Sequence, residues 1–171
     1  NNSKNIRINT LDLISSLLDS NKIDSTILNN YKLNNEQYNM MNIHKPISGI
    51  VTKGILTNNN VNHPGIDIAA KLNSKIESAE EGMVIFSGVY GDYGNTIIIA
   101  HPNNYYTLYS HLNKPQVKQR GYVSKGQIIG YVGESGKSNG PHLHFEIWKN
   151  HIIIDPRDLI EEYKIKDVSI K

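Results

Sequence analysis

The chain has 171 residues, 38% of them hydrophobic, enough for one sizeable core with an appendage rather than several domains. Its net charge is only +2 and its lysines and arginines are scattered, so nothing points to a nucleic-acid surface. With no cysteine there is no disulfide, thiolate zinc site or thiol nucleophile, which leaves histidine and carboxylate as the transition-metal ligands.

From Asn1 to about Met41 the chain is rich in Asn, Ser and Lys. Leu11, Ile14, Leu17 and Leu18 recur at helical spacing behind Thr10, a residue type suited to an N-cap, and predict a short amphipathic helix. A weaker pattern starts at Asp24 or Ser25 and carries Ile27, Leu28 and Tyr31, after which 34–42 shows no periodicity. Residues 1–45 read as a helical arm or pro-segment. No run of about 18 apolar residues is present to span a bilayer. There is no signal peptide either, but the chain opens on Asn1, which leaves room for a membrane anchor upstream.

The composition changes after Pro46. Short runs of β-branched and aromatic residues follow at 83–89, 96–101, 105–111, 128–132 and 142–148, with a further strand expected from Ile66, and Gly, Asn and Pro stand between them. This predicts a mainly β domain over 46–160, with antiparallel sheets in an open sandwich or barrel-like arrangement. Pro156 at a first helical position, with Leu159, Ile160 and Tyr163 on one side, predicts one short closing helix, and 161–171 form the C-terminal tail.

Within the run GPHLHFEIW, His142 and His144 stand two residues apart. On a strand they share one face, while Leu143, Phe145 and Ile147 take the other. Such a pair alone fits a solvated sheet face better than a metal site. NHPGIDIAA adds His63 and Asp67, which a Pro64-Gly65 turn can bring to one point. YTLYSHL adds His111 at a strand end, on the alternation that sets Thr107, Tyr109 and His111 against Tyr106, Leu108 and Ser110. A catalytic zinc takes three protein ligands and leaves a position for water. His63, Asp67 and one histidine of HLH supply such a set, and the other histidine and His111 are left to carry protons or to stabilise an oxyanion.

HPGIDIAA, GDYGNTIIIAH, YTLYSHL, KGQIIGYVGESGKSNGPHLHFEI and the closing IDP resemble the lysostaphin-type (LytM-type) zinc endopeptidases of bacterial cell walls, over about Pro46 to Leu159. The resemblance implies a LytM domain of the duplicated hybrid motif type, a groove for an extended peptide, and one zinc ion on His63, Asp67 and His144. It gives His111 and His142 the catalytic roles. His101 then stays structural, and His44 and His151 read as surface or packing residues. Glu146, on the face of His144, is a possible support or groove residue, with an ordinary solvated glutamate the favoured reading. Some members of the family place a tyrosine ahead of the first ligand as an oxyanion donor, and 47–62 contains none.

The same resemblance implies the chemistry. Zinc lowers the pKa of its water from about 16 toward ~7, His142 takes or orients the proton, and His111 helps stabilise the oxyanion and protonate the leaving amine. The implied substrate is a peptide cross-link or stem peptide of peptidoglycan, with a D,D bond preferred to a glycyl bridge and an extracytoplasmic, cell-envelope location. An upstream arm can hold such an enzyme latent. The competing reading is a non-hydrolytic LytM scaffold or regulator with envelope protein partners that keeps its zinc. A carbohydrate-binding sandwich would need Tyr105, Tyr106 and Tyr109 as an exposed platform.

Overall fold

In a computed structural model that describes residues 42–58 and 61–169, the β-rich runs become twelve short strands among the described residues. The expected helices of the N-terminal arm lie outside those residues. The strands are β1 (Ile50–Lys53), β2 (Leu56–Asn58), β3 (Val61–His63), β4 (Ile66–Ala69), β5 (Lys75–Glu77) and β6 (Gly82–Tyr90). They continue with β7 (Gly94–Ala100), β8 (Tyr105–Leu112), β9 (Tyr122–Val123), β10 (Ile128–Tyr131), β11 (His142–Lys149) and β12 (Ile152–Ile154). One eight-stranded sheet runs β1-β4-β11-β8-β7-β6-β9, with β12 paired to β11. Its named strand pairs are antiparallel. β5 and β10 form a small second sheet.

The period of two along each strand decides which side chains are buried where. Ile66, Ile68, Val84, Ile97, Ile99, Tyr109, Leu143, Phe145 and Ile147 turn to one face of the large sheet and meet Ile76 and Ile129 of the small one, which makes the main core. On the other face Met83, Ile85, Ile98, Tyr106, Leu108 and Trp148 make a second cluster. His142, His144 and Glu146 share β11's register with Trp148, so they stand on this second face. Tyr106 and Tyr109 are buried in these clusters, and Lys149 lies over the half-buried Tyr105 ring, so the three tyrosines form no exposed platform.

At the C-terminal end, two short helices replace the single one expected: α1 (Pro156–Leu159) and α2 (Glu161–Ile165). Asp155 caps α1 by accepting from Arg157 N at 2.9 Å, with Pro156 at the first position as expected. The break falls at Ile160, which is extended (φ −125°, ψ 97°) so that it and Tyr163 both reach the main core. Tyr163 OH then donates to Ile47 O at 2.7 Å.

His101 is held by structural hydrogen bonds, as the resemblance implied. Its Nδ1–H donates to Glu81 O at 2.7 Å and its Nε2 lies 2.6 Å from Thr107 Oγ1. Complete burial, against the pull of the Glu81 carbonyl, lowers its pKa to about 4 from an ordinary 6.5. Between those values the unfolded chain binds more protons than the folded one. The stability this residue supports is therefore complete above pH 6.5 and lost as the pH falls toward 4, by about 3 kcal/mol. Urea titrations at about pH 7 and about pH 4.5 should show the loss, and His101→Gln should flatten the slope.

Candidate metal centre and active site

The antiparallel register of β4 and β11 sets Asp67 directly across from His144. β3 ends on His63, and Pro64-Gly65 turns the chain back so that His63 reaches the same point. Asp67 Oδ1 lies 3.0 Å from His63 Nε2 and 2.8 Å from His144 Nδ1, and the two ring nitrogens are 3.1 Å apart. Among the described residues these three are the cluster able to hold a metal ion.

The outer nitrogens of both rings are already committed. His63 Nδ1–H donates to Gly54 O at 2.7 Å, and His144 Nε2–H donates to Glu146 Oε1 at 2.9 Å. With those protons outward, the inward atoms are two imidazole lone pairs and a carboxylate oxygen, three electron donors gathered with nothing but each other to face. Only a positive charge between them makes that arrangement favourable. The protonation behaviour of the cluster says the same. Burial opposes a charge on His144, yet its hydrogen bonds to Asp67 and Glu146 outweigh this and raise its pKa to about 9. Burial pushes the Asp67 carboxyl up, but the bonds from His144 and His63 hold it well below the usual range. The same negative charges that favour a proton on His144 would favour a divalent cation, which binds by displacing that proton. A tetrahedral zinc with bonds of about 2.05 Å spaces its ligand atoms by roughly 3.3 Å, a few tenths more than the triangle here. The donor set, two nitrogens and one oxygen, is of the open catalytic kind.

His111 and His142 flank the triangle, with ring centroids 4.6 Å apart. His142 Nδ1–H donates to Gly140 O at 2.8 Å, leaving Nε2 at 3.8 Å from Asp67 Oδ1. Gly140 has φ +150°, a conformation side chains rarely adopt. His111 Nδ1–H donates to Ser135 O at 2.8 Å. Burial, opposed by that carbonyl and reinforced by His142 and His144, lowers its pKa to about 4, so it is neutral at physiological pH.

The five residues singled out in the sequence thus come together, but His111 does so against the expected alternation. Tyr109 points into the main core, and an unbroken strand would send His111 after it. Instead β8 carries a bulge: Ser110 and His111 together oppose Thr96 between the pairs Asn95↔Leu112 and Ile97↔Tyr109. His111 takes φ +60°, which swings its ring onto the metal face. Glu146 also differs from the solvated residue favoured above. It is fully buried, because β8 flanks it and three donors enclose its carboxylate. Its place two residues past His144 was the available signal, whereas Tyr93, 53 residues away, gave none. His44 is remote, paired with Glu77 at 2.6 Å, and His151 is exposed.

Gly65 lies between His63 and Asp67, two of the three residues able to hold a metal. A Cβ there would meet Phe145 O at sub-contact distance and Glu146 Cγ at 2.8 Å. Gly65→Ala is expected to cost about 1–3 kcal/mol and to loosen the candidate metal site, as read by thermal unfolding and metal titration.

Residues 61–156 match the model of peptidase family M23. The chain belongs to that family. The M23 domain is 42% identical over 94 residues to the DD-carboxypeptidase/endopeptidase Mpg of Neisseria meningitidis serogroup B, covering 55% of this chain and 22% of that protein. It is 39% identical over 85 residues to the peptidoglycan DD-endopeptidase ShyA of Vibrio cholerae, covering 50% of this chain and 20% of ShyA. The chain therefore spans about a fifth of the length of these curated relatives. The catalytic domain of lysostaphin from Staphylococcus simulans superposes with a TM-score of 0.56 at 28% identity, covering 81% of this chain and 98% of that one. Lysostaphin-type architecture and M23 membership thus agree with the resemblance read from the motifs.

Proposed function

We propose that this M23 domain is a zinc endopeptidase that cleaves peptide cross-links or stem peptides of peptidoglycan in the cell envelope, with a D,D bond as the preferred target. The observation that carries the reading is the convergence of His63, Asp67 and His144 with inward lone pairs, beside two further histidines anchored through Nδ1. The DD-endopeptidase names of its relatives support the choice of substrate.

His63, Asp67 and His144 would hold the ion. Zinc bound there supplies a Lewis acid and makes water a nucleophile at neutral pH. The carbonyl of Gly54 and the carboxylate of Glu146 keep the two rings oriented. His142 and His111, each with its proton fixed at Nδ1, present Nε2 as proton acceptors. The one that takes the proton from water becomes an imidazolium able to deliver it to the leaving amine, and it can stabilise the oxyanion once its Nε2 is protonated. An extended peptide of little side-chain bulk would be read mainly through its backbone.

No helix among the described residues is long and apolar enough to cross a membrane. Placement in the envelope rests on the substrate. The presence and assembly of all five side chains favours the enzyme over a non-hydrolytic scaffold that keeps its zinc. The test is digestion of purified peptidoglycan with mass spectrometry of the fragments and measurement of bound metal. Fragments broken at D,D bonds are expected from the wild type. Full zinc with no fragments, either from the whole chain or from a shorter protein beginning near Ile43, would overturn the enzyme reading. Fragments from the shorter protein alone would show that the arm holds it latent.

A further inference from the structure

We propose that Glu146 is the positioning residue of the metal centre: its buried carboxylate gathers donors from His144, Trp148 and Tyr93 and thereby fixes His144 with Nδ1 inward. This rests on the zinc reading of His63, Asp67 and His144.

Glu146 is fully buried, and burying a carboxylate costs several kcal/mol unless hydrogen bonds compensate it. Oε1 accepts from Tyr93 OH at 2.8 Å and from His144 Nε2–H at 2.9 Å, and Oε2 accepts from Trp148 Nε1–H at 2.6 Å. An indole N–H can only donate, and a carboxylate can only accept, so the match is specific to glutamate. A glutamine of the same shape would turn its NH2 group toward one of these donors.

The arrangement acts on the ligand in two ways. A histidine can bind metal through either nitrogen, and Glu146 occupies Nε2, so Nδ1 is the atom left beside Asp67 and His63. The ring is also held edge-on between two neighbours, His63 at 4.7 Å and Tyr93 at 5.4 Å between centroids. Tyr93 stacks on Tyr90 at 5.6 Å, in the turn that joins β6 to β7. On the other side, Gly65, between His63 and Asp67, is packed so that a Cβ there would clash first with Phe145 O and then with the Glu146 stem. One side chain thus braces the β11 ligand against the turn carrying the other two. A carboxylate behind a metal-binding imidazole also makes it a stronger base.

The test is zinc affinity by chelator competition, with melting of the metal-free proteins as a check on folding. Glu146→Gln is expected to bind zinc about 10–100-fold more weakly while remaining folded. Ser110→Ala is the control: Ser110 sits across from His144 on β8, its buried hydroxyl makes no hydrogen bond among the described residues, and its loss should leave zinc affinity unchanged. Folded Glu146→Gln with wild-type affinity overturns the proposal alone, whereas wild-type protein that takes up no zinc overturns the metal reading and the proposal with it. If Glu146→Gln does not fold, long-range 1H–15N NMR of the zinc-loaded wild type decides. A protonated Nε2 and a metal-bound Nδ1 at His144 support the proposal, and the reverse assignment overturns it.

Discussion

Asp67→Ala is expected to lose zinc and peptidase activity together. Asp67 Oδ1 is the atom on which the cluster converges, 2.8 Å from His144 Nδ1, 3.0 Å from His63 Nε2 and 3.8 Å from His142 Nε2. It is also the only formal negative charge in the triangle. Zinc binding at a four-ligand structural site amounts to about 10–16 kcal/mol, or roughly 3 kcal/mol per ligand, so losing one lowers affinity about a hundred-fold or more. Metal content after dialysis against a chelator measures this directly. A second readout does not need substrate: zinc that binds only the folded state raises the melting temperature of the wild type and should leave Asp67→Ala unmoved. Without metal the variant also loses the pairing that holds Asp67 ionised, a contribution present above the ordinary carboxylate pKa of 3.8 and lost as the pH falls below it. The metal-free variant should therefore melt lower than the metal-free wild type near neutral pH, with the difference shrinking on acidification. Stoichiometric zinc and full activity in Asp67→Ala would refute the assignment.

Much of this site was legible because its geometry is local. On β11 the period of two separates His142, His144 and Glu146 from Leu143, Phe145 and Ile147, and the structure keeps that division. The five long β-rich runs and the strand from Ile66 were legible for the same reason. β5, β9 and β12 span only two or three residues and owe their conformation to strands already in place, so no periodicity marks them. His111 was legible as a candidate for this cluster but not in its orientation, since a bulge depends on the pairing of β7 with β8 rather than on β8 itself. Glu146 is the reverse case. Its face was predictable, but its burial comes from Tyr93 and Trp148, and a contact between residues 93 and 146 leaves no trace in either segment.

His142→Ala separates the proton-transfer machinery from the metal. Its Nε2 stands 3.8 Å from Asp67 Oδ1, outside the triangle of 2.8–3.1 Å contacts, and its ring is held by Gly140 O from the far side. Removing it takes no ligand and leaves no buried charge, so zinc content and melting temperature should stay close to wild type. What disappears is the proposed general base, and the expected loss is about 10²–10⁴ in kcat/KM on peptidoglycan fragments. His111→Ala should fall in the same range, because its ring lies 4.6 Å from that of His142 and its anchored Nε2 is the other proton acceptor proposed for the same reaction. The double variant should then be little worse than either single one, since groups that act as a unit are not additive. If His142→Ala keeps zinc and retains near-wild-type turnover, the proton is handled elsewhere, and the anchored Nε2 of His111 is the group left in place to do it.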